Sequence, residues 1–595
     1  MFVAAATLAS FARTPAGQAQ VPTPAPEDMA LVSGLLADRL DVTPERVVYV
    51  AADAGPDGAG TRADPRRDLL DVFANAEAGT AINLAPGVYD MPAIRDRFGH
   101  DDSSLFTRSD GAPGRPIVMR TDPELYDPES AIAVLDFGYD NDSVGWRTSA
   151  VIVRNSYWVF ERFEMRRMRS RGFWVGGYNN TFRELDVHHA DTDGFNNEGL
   201  ILMQASGGET NNVILQNHLH HIGNIDRATD TLIDRGGGNG GCFYTETRLS
   251  YDSVVPAAGD AATLAEWEAG ILPPDSHVYL IGNWVHDCHK GLGIKNNGRG
   301  PYFFLSNYIT DVDLGIATPF TDNLIRNNVL VGAGIVVGKA FTNAPLPTFL
   351  KTTGNGARSE VAYNTLIGGN LSFRGGWSSR VHNNLVVDAG PPVQIARNQY
   401  PWFDGGAWPG IRGEFLIADL TPAHPFYDLM PGYMHELAAM GTYVRMRLED
   451  NCYDEEPAIA STDFRQDVAD VTGMVFDERY TVLSASQRSA LFVDEATGDY
   501  RRPEGSDLDC GSRLGFSAAL PPDLDAGVVG VDAGADAATP AVDGGASVDA
   551  GTAGTGGGCG CVVAGARRRE LPAWPFVVGL VALVARMRTR SRRRG

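Results

Sequence analysis

From about residue 155 onward, short apolar runs recur along the chain at intervals near twenty residues, and each run is centred on an asparagine. Aligning the sequence on Asn217, Asn283, Asn307, Asn327, Asn364, Asn383 and Asn451 places Leu215, Ile281, Leu305, Ile325, Ala362, Val381 and Glu449 two residues before them. Leu219, Val285, Ile309, Val329, Leu366, Leu385 and Tyr453 then lie two residues after. The closest spacings are 24, 20 and 19 residues, and Phe163 and Leu185 take the asparagine position in two earlier coils. A period of two puts each asparagine on the same strand face as its apolar neighbours. A buried amide is costly unless it is hydrogen-bonded. Stacked coils meet that requirement, because each amide can bond the amide of the next coil. The pattern predicts an all-β solenoid of parallel strands with a row of asparagines inside.

Upstream, Val47 to Ala51 reads as a strand, and Asp64-Pro65 supplies a helix N-cap and first position. Leu69, Leu70 and Phe73 would line one face of a helix ending near Gly79, with a strand at Ile82 to Leu84 beyond it. Such a helix covers the open end of a solenoid, whose strand edges would otherwise recruit other chains. The expected body spans 46–516, divided into an N-terminal cap over 46–115, coils over 115–455 and a C-terminal cap over 456–516. Residues 521–558 contain Asp-Ala-Gly three times and no Lys or Arg. They read as a flexible linker.

Composition narrows the partners. The formal charge is −24, but nine Arg and one Glu lie beyond Cys561, so the remainder carries −32. A body that acidic excludes nucleic acid as a partner. The expected state is a monomer. Six cysteines show no zinc-ligand spacing. Cys452 and Cys510 could form a disulfide or remain two separate buried thiols. The apolar stretch Phe2 to Ala12 and the small-residue site Gly17-Gln18-Ala19 look like a signal peptide over 1–19, without the usual basic start. Leu571 to Ala585 is apolar and is followed by Arg586, Arg588, Arg590 and Arg592 to Arg594. At fifteen residues it is short for a transmembrane span of about 20.

Several segments carry a family resemblance. Val47-Val48-Tyr49-Val50 with Leu84-Ala85-Pro86-Gly87-Val88-Tyr89, Gly114 to Met119, Asn155 to Phe160 and Gly498-Asp499-Tyr500-Arg501 resemble the pectate-lyase-like right-handed parallel β-helix superfamily. The resemblance implies that fold and a carbohydrate-related role, since the superfamily holds lyases, hydrolases, epimerases and non-catalytic surface proteins. The C-terminal 559–595, with Cys559-Gly560-Cys561, an apolar stretch over 571–585 and terminal arginines, resembles the myxobacterial C-terminal sorting tail. That likeness implies export, handling by outer-membrane sorting machinery near Cys559 and Cys561, and display on the outer surface or secretion.

Candidate chemistry lies just past the asparagine row. Successive coils carry Arg166, His188, His220, His286 and Thr310, then Arg167, His189, His221, Asp287 and Asp311. Histidines stacked at coil spacing can bind a metal or shuttle protons, or can serve as turn residues bonding neighbouring backbone. Asp191-Thr192-Asp193-Gly194-Phe195 resembles the Asp-Gly-aromatic segment of the calcium-dependent pectate lyases of this fold. The resemblance implies calcium ligands at Asp191, Asp193 and Glu198, a base at Lys295, and Glu246 one coil on. Arg166, Arg167, Arg169 and Arg171 form a basic island suited to an acidic sugar. The expected activity is calcium-assisted lysis of a uronate polysaccharide, against a surface adhesin of the same fold or a two-carboxylate glycoside hydrolase.

Overall fold

The structure is a computed structural model, and it describes residues 21–514 apart from 56–57, 141–148, 193–198, 204–210, 236–239, 246–276, 295–300, 319–321, 339–358, 374–378, 397–445, 458, 463–474, 496–499 and 504–505. The linker, the cysteine pair Cys559 and Cys561, the apolar segment over 571–585 and the signal region 1–19 lie outside the described residues. Among the described residues, no helix is long and apolar enough to cross a membrane.

The chain is a right-handed parallel β-helix with three strands to a coil. One coil runs through Asn212–Leu215, His218–Asp226 and Gly241–Thr245. The next runs through Val278–Ile281, Trp284–His286 and Cys288–Ile294, paired in parallel above the first. Side chains in register build continuous columns inside. Ile214, Leu280 and Phe304 form one, and Leu219, Val285 and Ile309 another, all fully buried. Burial of an aliphatic side chain contributes about 1.5–3 kcal/mol, and each coil adds several. Parallel stacking begins at Arg46–Val50, which pairs with Thr80–Leu84 and through it with Ile117–Thr121. It closes where Val475–Val482 pairs with Met446–Tyr453. The coils therefore extend beyond the expected 115–455 in both directions.

The asparagine row exists, with seven members, but two of its expected residues are off by one. It runs Asn217, Asn283, Asn307, Asn328, Asn364, Asn384 and Asn451, each side-chain N–H donating to the Oδ1 of the next at 2.9–3.0 Å. Asn327 and Asn383 are not rungs. They occupy the preceding position, where the backbone is left-handed in every coil: φ is +53° at Gln216, +57° at Ser306, +59° at Asn327, +54° at Tyr363 and +52° at Asn383. That residue turns the strand, so strict alternation fails there. The inward positions are three before the rung and two after it, as the buried Ile325, Val361, Val381 and Leu448 show. Where Asn-Asn occurs, alternation alone selects the wrong one.

Leu215, Ile281 and Leu305, two before the rung, face outward and are nevertheless buried. Two short helices cover them: α1 (Pro26–Ala30) and α2 (Ser33–Leu40), whose Val32 and Leu36 pack onto that face. Two buried charges anchor the segment. Asp28 accepts from the Arg326 guanidinium at 2.5–2.8 Å, from the Ser306 hydroxyl at 2.6 Å and from the Asn327 amide at 3.0 Å. Arg39 donates to the Asn211 carbonyl at 2.8 Å and to Asn179 Oδ1 at 3.0 Å.

The end-covering helix, α3 (Leu69–Ala74), buries Leu69, Leu70 and Phe73 as expected. Its cap is Asp68, accepting from the Asp71 N–H at 3.1 Å, and not Asp64. Asp64 instead closes a tight turn with Thr61 and accepts from the Ala59 N–H at 2.9 Å, which keeps 64–67 extended. A further helix, α4 (Met91–Phe98), follows the strand Gly87–Asp90. Near the far end, α5 (Ala485–Ser489) starts with a capping box at Ser484 and Gln487. There Leu483, Leu491 and Phe492 pack on Leu385 and Val387, and a disulfide joins Cys452 to Cys510. A second disulfide joins Cys242 to Cys288 on adjacent coils, with Cα atoms 5.8 Å apart; neither residue has a spacing signature in the sequence.

Candidate functional site

The strands that follow the asparagine row carry their polar residues outward, because Val187, Leu219 and Val285 point into the core. Parallel pairing aligns these residues in columns. Asp136, Arg166, His188, His220 and His286 stack in one. Glu164, Asp186, His218 and Trp284 stack in the column two residues earlier, on the same face. From the Arg166 coil onward the residue after the first column is left-handed, with φ from +48° to +55° at Arg167, His189, His221, Asp287 and Asp311. Polar residues such as His and Asp tolerate that conformation better than β-branched ones. His189 and His221 thus act as turn residues, one of the two roles expected for them.

The rings overlap closely. His188 stacks on His220 with centroids 4.7 Å apart, His220 on His286 at 4.8 Å, and His218 on Trp284 at 4.2 Å. Burial pushes His220 well below the ordinary histidine value and lowers His218, although Asp186 works against the shift in both. For His188 burial is outweighed by its hydrogen bond to Glu164 and by the charges of Asp186 and Glu164, so its value rises. Asp186 is held well below the carboxylate range: burial opposes this, but His218, His220 and His188 overcome it.

The arginine island is internally paired at one end. Arg167 makes a two-pronged contact with the buried Asp136 at 2.6 and 2.7 Å, and Arg166 donates to the same carboxylate at 3.0 Å and to Glu164 at 3.2 Å. Burial would raise Asp136, but the Arg167 hydrogen bond and both guanidinium charges lower it. Arg169 is in register with Asp191, one coil apart. Arg171 is buried in the adjoining face, where it aligns with Ser149.

Asp191 sits at the end of its strand, buried, with its Oδ2 accepting from Arg227 at 2.5 Å. The Arg227 guanidinium also lies 5.6 Å from the Tyr139 ring, whose hydroxyl donates to Asp230 at 3.2 Å. Arg227 and Asp230 come from the turn of a hairpin formed by His218–Asp226 and Thr231–Asp234. That hairpin rises out of a coil and has no counterpart in the asparagine repeat, so the repeat alone gave no reason to connect it with Asp191. The structure thus brings Asp191, Arg169 and the hairpin into one corner, with Arg166 before the left-handed turn at Arg167. Asp193, Glu198, Glu246 and Lys295 lie outside the described residues; they border, respectively, the strands ending at Asp191, beginning at Gly199, ending at Thr245 and ending at Ile294.

Residues 48–245 match a family model described as the Pel9A-like, right handed beta helix region. Pectate lyase L from Dickeya chrysanthemi is 27% identical over 173 residues, which is 29% of this chain and 37% of the relative. Pectate lyase L from Dickeya dadantii (strain 3937) shows the same identity and coverage. The chain thus spans little more than a third of the length of these curated relatives. Among solved structures, pectate lyase Pel9A overlays with a TM-score of 0.39 at 13% identity, covering 82% of this chain and 91% of that one. A GH136 lacto-N-biosidase from Eubacterium ramulus overlays with a TM-score of 0.42 at 12% identity, covering 73% and 67%.

Proposed function

We propose that the chain is an exported polysaccharide lyase that cleaves uronate glycans at the corner beyond the histidine columns. The observation that carries this reading is the match of 48–245, a stretch that contains Arg166, Asp191 and Arg227 and stops one residue short of Glu246. In the reaction, a base removes the proton alpha to the uronate carboxylate. The bond from the next carbon to the glycosidic oxygen then breaks, leaving a double bond in the ring, and the departing oxygen takes a proton from solvent to become a new hydroxyl end. Lys295 is the base and must be unprotonated, which nearby positive charge favours. Arg169 and its neighbours hold the acidic sugars.

Calcium, when bound, would neutralise the substrate carboxylate and so acidify the adjacent proton. The donor set suits it, since Asp191, Asp193 and Glu198 offer only hard oxygen atoms. With Asp191 Oδ2 committed to Arg227, most of that ligation falls on Asp193 and Glu198. Export and removal of the tail near Cys559 and Cys561 complete the proposal; mass spectrometry of surface-extracted protein should find no peptide beyond the cysteines.

The activity test is ultraviolet absorbance of unsaturated products from uronate glycans. Absorbance should rise, stop with a calcium chelator and return with added calcium. Lys295→Ala should lower turnover by about 100-fold or more while retaining glycan binding, and Asp193→Ala should abolish the calcium response. New reducing ends without unsaturation would favour a two-carboxylate hydrolase. Binding without any product would favour an adhesin.

A further inference from the structure

The two histidine columns meet at a place that the lyase reading does not use. His218 and His220 project from the same face of one strand, and His286 lies in register with His220 on the next coil. His218 Nδ1 is 3.1 Å from Asp186 Oδ1, and His286 Nδ1 is 2.7 Å from Asp287 Oδ2. An ionised carboxylate only accepts, so His286 Nδ1, hydrogen-bonded to Asp287, carries its proton and its Nε2 holds a lone pair. His218 Nε2 faces that lone pair at 2.8 Å, a hydrogen bond in which an ion could take the place of the proton. His220 brings a third nitrogen: its Nε2 is 3.1 Å from Asp186 Oδ1, and its Nδ1 is 2.5 Å from His221 Nδ1. One ligand atom from each of His218, His220 and His286 falls within 4.8 Å of the others.

We infer that His218, His220 and His286 form a binding site for a borderline divalent metal such as zinc, with water in the fourth position. Imidazole nitrogens favour such ions over calcium, which takes oxygen. Zinc-ligating histidines characteristically donate their second nitrogen to a carboxylate, which fixes the tautomer and the ring direction. Asp287 does this for His286. The Nε2 atoms need only spread by a few tenths of an ångström to accept zinc at about 2.0–2.1 Å. Ligation through His220 Nε2 moves that ring's single proton to Nδ1, where it donates to His221 Nδ1. His188, Glu164 and Arg166 flank one side of the site, and His221 and Asp287 the other. Spanning two coils, a bound ion would clamp them together without touching substrate.

The test uses the full chain carrying Cys559→Ser and Cys561→Ser, so that the tail thiols cannot bind metal. Stripped protein is dialysed against zinc in the presence of excess calcium, and bound metal is counted by mass spectrometry. About one equivalent of zinc is expected, with a raised unfolding temperature. Cobalt in place of zinc should give the visible absorption bands of a tetrahedral site. His286→Asn and His218→Gln should each lose the metal and the bands while keeping the far-ultraviolet circular dichroism of the parent. Failure of the parent to retain zinc, a cobalt spectrum without tetrahedral bands, or undiminished zinc in folded His286→Asn would overturn the proposal. If neither variant folds, the cobalt spectrum of the parent decides it. Because calcium is in excess and turnover is not read, failure here leaves the lyase reading standing.

Discussion

At the scale of single residues, the asparagine row shows how much depends on one position. Asn384 Oδ1 accepts from both the backbone and side-chain N–H of Asn364, and its amide donates to Val361 and to Asn451. Asn384→Ala leaves two buried donors without acceptors and should cost about 3 kcal/mol or more. Asn383→Gly, one residue away, keeps a backbone that glycine adopts readily and should cost about 1 kcal/mol or less. Urea unfolding midpoints of the two variants measure the difference directly. Asp136 makes the corresponding case for charge. Its folded value lies below the ordinary carboxylate value, so its contribution to stability is present above about pH 4 and is lost as pH falls through the lower folded value. Asp136→Asn should therefore lose about 1–3 kcal/mol at neutral pH and show a flatter decline in acid, as denaturant titrations at several pH values would report.

At the scale of elements, the short helices α1 and α2 depend on contacts far away in the chain. An eight-residue helix has little stability of its own. What holds the segment are the apolar contacts of Val32 and Leu36 and the buried Asp28–Arg326 pair. Arg326→Ala leaves the Asp28 carboxylate buried with only the Ser306 and Asn327 donors. Removing one partner of a buried pair costs about 3–5 kcal/mol, more than so small an element can absorb. The segment 21–40 should then be cut by proteases well before the coils, and limited proteolysis with mass mapping would show it. An early cut only at linker residues beyond 520 would speak against this account.

At the scale of the molecule, closure of the far end rests on few residues, which makes the Cys452–Cys510 disulfide consequential. It spans 58 residues, and a loop of that length implies about 4 kcal/mol of stabilisation in the chain-entropy account. Cys452→Ser should lower the unfolding temperature of the body and loosen the packing of Leu483, Leu491 and Phe492, seen as faster amide exchange around α5. The coils themselves should be less affected, since each coil is stabilised by contacts with its neighbours.

The sequence by itself determined the solenoid, because an apolar-polar period and a recurrent asparagine are local features that repeat. It also located the histidine columns, whose residue types stand out at coil spacing. It misplaced Asn327 and Asn383 because a left-handed residue before each rung breaks the period of two, and a pattern of types does not contain φ. It placed the helix cap at Asp64 because Asp-Pro fits a helix start, whereas the Thr61–Asp64 turn that competes with it depends on Ala59 and the strand beside it. Only the tertiary structure decided which charges neutralise one another: Arg167 with Asp136, Arg227 with Asp191, and Arg326 with Asp28 across nearly 300 positions. Such pairings depend on how many residues each coil inserts, and insertion lengths carry no periodic signal. The opposed nitrogens of His218 and His286, 68 positions apart, were fixed in the same way, by a long excursion that returns the chain to register one coil above.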